Sequence, residues 1–107
     1  MKPYLFHFVI EAHPKNPAGV DIGGAAALVW VFGTTISKAR EMAIHYINNR
    51  KWMLEKVELS LEITSELIAD MGDEEVCIYR EAERNGIAGK IYTWKKNESP
   101  TSVMSGG

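Results

Sequence analysis

Few side chains in this 107-residue chain could carry chemistry. The three histidines, His7, His13 and His45, fall in separate stretches, and no HExxH pair or paired Cys/His spacing joins them. Metal sites need such convergent donors, so no metal and no other cofactor is expected. His7 and Glu11 stand four apart and would share one side of an extended segment, where a carboxylate could orient or charge an imidazole for acid/base work. The plainer reading makes His7 a half-buried sheet residue, because catalysis needs partners that one strand cannot supply. Asp21 precedes Gly23-Gly24, which invites comparison with a phosphate loop. The residues that follow are strand-like, however, and both the Lys-Ser/Thr of a P-loop and the dinucleotide spacing are missing. Turn glycines account for the pair. Cys77, the only cysteine, has Glu74, Glu75 and Glu81 nearby, carboxylates that disfavour a reactive thiolate. No catalytic residue is assigned.

The aromatic residues are more suggestive. Trp52 stands where a helical pattern gives way to a strand, and Tyr92 and Trp94 alternate with Lys90 along the last apolar run. Rings beside cations can stack bases or a planar ligand. They can equally pack in the core or cover a sheet where two protein surfaces meet, since Trp and Tyr are enriched at interfaces. Charge favours the second use. The net charge of −2 conceals a segment at 34–56 with net +3 and a segment at 57–86 with net −7. Such a chain has no overall attraction to nucleic acid, and a contact through Arg50, Lys51, Lys90 and Trp94 is the weakest option.

These residues must be positioned by one domain, expected over 1–96, with a Ser, Pro and Gly-rich tail at 97–107. Pro3 to Ala12 is aromatic and β-branched and ends at a loop holding Pro14, Pro17 and Gly19, so it reads as a strand. Ala25 to Phe32 is apolar without a polar alternate, as in a strand covered on both faces. Thr34-Thr35 caps a helix over 36–50, with Ile36, Ala39, Ala43, Tyr46, Ile47 and Arg50 at helical spacing along one side. Trp52 to Ile63 alternates, with Met53, Glu55, Val57, Leu59, Leu61 and Ile63 on one face and Leu54, Lys56, Glu58, Ser60 and Glu62 on the other. Ser65 caps a short turn and Asp73 a second helix running to Arg84, which Asn85-Gly86 ends; Ile87 to Trp94 is the last strand.

The class is therefore α+β, an α/β sandwich with elements in the order ββαβαβ, two main helices and a four-stranded mixed sheet. The mixed sheet is expected because each helix would form a right-handed crossover between strands. A strand order of 3-1-2-4 would put the helices on opposite faces; the competing arrangement puts both on one face and leaves the other to a symmetry mate. Two helices cover four strands incompletely in either case, and exposed apolar area of that kind marks association surfaces.

Residues 28–47, a strand followed by Gly33-Thr34-Thr35 and a helix opening at Ile36-Ser37-Lys38-Ala39, are similar to the helix start in the HicB antitoxin family. The aromatic-Pro loop of that family is absent, cap chemistry accounts for the likeness, and no residue role is taken from it. What remains is a small cytoplasmic protein of bacterial type and no identifiable catalytic class, expected to act as a self-associating binding or regulatory module, most simply a homodimer. Its alternative is a small-molecule binder or enzyme with a pocket near His7, Glu11 and Asp21. The residues singled out as ligand or interface contacts are His7, Glu11, Trp52, Tyr92 and Trp94. No secretory signal is read at the start, and the longest apolar run is too short to span a bilayer, so no membrane partner is expected.

Overall fold

Apolar residues at both odd and even positions of the first two runs call for a sheet with two apolar faces. In the computed structural model, which describes residues 1–17 and 22–95, they form β1 (Lys2–Ala12) and β2 (Ile22–Gly33). The chain continues as α1 (Ile36–Asn49), β3 (Trp52–Glu62), the one-turn α2 (Ser65–Ala69), α3 (Asp73–Asn85) and β4 (Ile87–Lys95). The expected tail at 97–107 and Asp21 lie outside the described residues.

The strand order is β3-β1-β2-β4, and every neighbouring pair is antiparallel. The expectation of a mixed sheet is thus corrected. β2 and β3 do run parallel across α1, but β1 lies between them; β1 and β4 are likewise separated by β2. β3 and β4, at opposite edges, run antiparallel, so their connection is not a parallel crossover. Parallel strands are present but never share a ladder.

With β1 and β2 central, the helices take opposite faces. On one, Phe6, Phe8, Ile10, Ala27, Val29 and Val31 are buried beneath Ala39, Ala43 and Ile47 of α1. Small residues let this helix sit close: a Cβ placed on Gly33 would be 3.1 Å from that of Ala39. On the other face Trp30, Ile63 and Ala88 are buried with Ala82 of α3, and Leu5, Phe32, Leu61, Ile68, Met71 and Tyr79 pack around them. The Phe32 and Tyr79 rings are 5.7 Å apart.

The caps fall close to where they are expected. Thr35 Oγ1 accepts from the Lys38 N–H at 3.2 Å, which supplies one of the donors left unpaired at a helix start. α2 is capped by Thr64 rather than Ser65, its Oγ1 accepting from the Leu67 N–H at 3.3 Å. α3 begins after Gly72 without a side-chain cap, and Asp73, expected as the cap, sits in the first turn with Glu74 and Glu75. Three carboxylates there suit the positive end of the helix dipole. Gly86 closes α3 in the left-handed region with φ 85°.

β3 departs from simple alternation. Its pairing with β1 slips between His7 and Phe8 and again between Val9 and Ile10. The extra residues are Glu58 and Glu55, each a β-bulge. The expected faces are therefore re-sorted: Met53, Lys56, Leu59, Leu61 and Ile63 share one side, while Trp52, Leu54 and Val57 join the α1 core.

Two substitutions test this packing. Gly86→Ala meets nothing within 4 Å but must adopt φ 85°, so it should lower stability by about 1 kcal/mol with an unchanged denaturant m-value in urea unfolding. Trp30 is buried and its Nε1 has no hydrogen-bond partner, a defect worth about 1–3 kcal/mol. Trp30→Phe removes that donor and should stay within about 1 kcal/mol of the parent, whereas Trp30→Ala should cost about 3–5 kcal/mol.

Candidate functional site

The face that carries α2 and α3 is only partly covered. Register places its side chains in rows across the four strands. The first row, Leu61, Leu5, Trp30 and Ala88, lies in the core cluster under the helices. The second row is Leu59, His7, Leu28 and Lys90, and the third is Lys56, Val9, Ala26 and Tyr92. Met53 beside Glu11, and Gly24 beside Trp94, form the fourth. No residue of the last three rows is buried, and Leu59 and Tyr92 are each 41% exposed. An apolar sheet surface rimmed by charge is therefore open over rows two to four.

Four of the five residues singled out from sequence meet here. His7 is half-buried between Leu59 and Leu28, and Glu11 is exposed on the same side of β1. They do not touch: at about 3.3 Å per residue, four positions place them about 13 Å apart, with Val9 between. Tyr92 has the Lys90 ammonium 5.0 Å from its ring centroid, and Lys90 pairs with Glu74 of α3. Burial, and then the Glu75 carboxylate, hold the Tyr92 phenol above the ordinary tyrosine value. Trp94 lies flat over Gly24, where an added Cβ would fall 2.4 Å from its ring. That close approach is why a glycine stands at this point of β2.

Trp52 goes elsewhere. It pairs with Ala12 and is buried in the α1 core, so it lines no ligand surface. The basic set also divides. The Arg50 guanidinium sits 3.5 Å from the Tyr46 ring centroid and donates to the Tyr46 carbonyl at 3.1 Å, on the α1 side. Lys90 and Trp94 belong to the open face. Lys56, Val9, Leu28 and Leu59 complete the surface; the bulges of β3 bring Lys56 to the same side as Leu59 and Leu61, which simple alternation would not.

A shallow cavity of about 300 Å³ opens where β1 ends and β2 begins, between Glu11 and Glu55, with Ile22, Gly23 and Gly24 on its other side. Glu11 lines it and His7 does not, and Asp21, the third residue of the suggested pocket, lies outside the described residues. Among the described residues no group of three or more His, Cys, Asp and Glu side chains is placed to hold a metal ion. No helix among them is long and apolar enough to cross a membrane.

Gly24→Ala tests the Trp94 placement. The methyl group must displace the indole, so the Trp94 side-chain resonances should shift strongly, with a stability loss of about 1–3 kcal/mol; unchanged resonances would show that the ring does not rest there. Comparison of the chain with protein-family models, with curated proteins and with solved structures gives no match.

Proposed function

We propose that this protein is a self-associating binding module that pairs with a second copy through the open part of its sheet. The observation that carries the reading is the uncovered surface of rows two to four, with Leu59, Val9, Leu28 and Tyr92 at its centre and edges. Rows are about 6.8 Å apart and strands about 4.8 Å, so three rows across four strands span roughly 400 Å². Pairing two such surfaces would bury roughly 800–1,000 Å² in total, below the roughly 1,200 Å² at which stable specific interfaces begin and in the range of weak, transient ones. A reversible dimer of micromolar or weaker affinity is the scale this supports.

Charge separates this reading from a nucleic-acid platform. Exposed rings beside lysines are the elements of a stacking surface. Here, however, Lys56 is paired with Glu58 at 3.3 Å and Lys90 with Glu74. The acidic first turn of α3 lies at the same rim, so a phosphate backbone would meet neutralised cations and carboxylates. A second reading draws on the cavity at Glu11 and Glu55, which would suit a small cationic ligand. It is the weaker one, because the cavity is shallow and is not continuous with His7.

Sedimentation equilibrium from about 10 µM to about 1 mM tests self-association. The parent chain should show concentration-dependent dimer. Leu59→Asp and Val9→Asp should shift it to monomer; the first, at an exposed position, should change stability by no more than about 0.5 kcal/mol. A strict monomer at about 1 mM would overturn the proposal.

A further inference from the structure

We propose that residues 64–85, which hold α2 and α3, form a tethered cover that opens as a unit while α1 and the sheet stay folded. Opening would add the first row, Leu61, Leu5, Trp30 and Ala88, to the apolar face already exposed. The inference concerns a single chain and stands apart from self-association.

The segment is held weakly along its length. α2 buries no residue and α3 buries only Ala82, whereas α1 buries Ala39, Ala43 and Ile47. Among the described residues, the backbone hydrogen bonds of 64–85 close within the segment or onto Gly86, as from the Val76 N–H to the Gly72 carbonyl and from the Gly86 N–H to the Ala82 carbonyl. Backbone attachment to the sheet lies at the two ends. There the Ile63 N–H donates to the Pro3 carbonyl at 2.8 Å, and the Phe32 N–H donates to the Gly86 carbonyl at 2.9 Å. Between these ends the contacts are side chains: the Phe32 and Tyr79 rings, the Lys90–Glu74 ion pair, and the partly buried Ile68, Met71 and Ile78. An ion pair this exposed adds little.

Opening also relieves a defect. Trp30 is buried with no partner for its Nε1, and water can satisfy that donor once the cover lifts. The charged side chains of α3 are exposed in the closed state, so lifting the helix strips no charge of its hydration. Helices of five and thirteen residues are too short to persist alone in water. The lifted segment therefore unfolds and its amides meet solvent. β4 stays paired with β2, so the unfolding stops at Gly86.

Amide hydrogen exchange of the full chain at about 5 µM provides the test. Residues 65–85 should show protection factors at least roughly tenfold below those of α1, with a weaker dependence on added urea because less surface is exposed. Ile47→Val weakens the α1 core, which is intact in the open state. It should speed exchange in α1 roughly two- to tenfold and leave residues 65–85 and the Trp30 indole N–H unchanged. Tyr79→Ala removes a contact made only in the closed state and should speed exchange of residues 65–85 roughly tenfold. Equal protection of α1 and 65–85, or acceleration of both by Ile47→Val, would mean that the segment opens only with the whole molecule and overturns the proposal. A Tyr79→Ala chain whose 65–85 amides exchange no faster overturns it as well.

Discussion

Covering both sides of a four-stranded sheet with two full helices is the constraint on which this structure depends. β1 and β2 are apolar on both faces, so neither side can be left to water along the whole strand. α1 covers the centre of one side. Its inward residues Ala39, Ala43 and Ile47 are mostly small, so the strands supply the bulk: Phe6 and Phe8, with ring centroids 5.7 Å apart, fill the space beneath it. The opposite side is covered at one end only, where Trp30 supplies most of the volume and leaves its indole N–H unpaired.

That partial cover explains why the candidate surface has the composition it does. A side chain in rows two to four must tolerate water in the single chain and still offer apolar area. Half-buried Val9, Ala26 and Leu28 at the centre, with Lys56, Lys90 and Glu11 around them, meet both demands. Trp94 covers the one place where β2 has no side chain of its own, Gly24. The result is a surface of mixed character, in keeping with reversible association rather than with an obligate interface cut through a core.

Much of this was legible in the sequence, for local reasons. The apolar runs of β1 and β2 announced two covered faces, Thr35 and Gly86 marked helix ends by chemistry that acts within four residues, and the strand order 3-1-2-4 carried the helices to opposite sides as expected. What escaped depended on pairing between distant segments. Neighbour direction is a property of the whole sheet, so the mixed arrangement was inferred from chain order and was wrong. Whether Trp52 packs in the core or at a surface is decided by its pairing with Ala12, which puts it in the α1 core. His7 and Glu11 shared a strand face, as their spacing indicated, yet strand rise alone separates them beyond contact.

The bulges of β3 connect these misses to the open surface. An edge strand offers unpaired backbone groups to any passing strand, and bulges with charged residues are a recognised defence. At Glu55 and Glu58 the ladder with β1 is interrupted and a carboxylate is added at each break. Each extra residue also reverses the side on which the following side chains emerge, which brings Leu59 and Lys56 onto the open face beside His7 and Val9 and sends Val57 and Leu54 inward. Simple alternation would have turned Leu54 and Lys56 to one side and Val57 and Leu59 to the other. The two bulges thus discourage pairing along this edge while extending the apolar surface across the sheet.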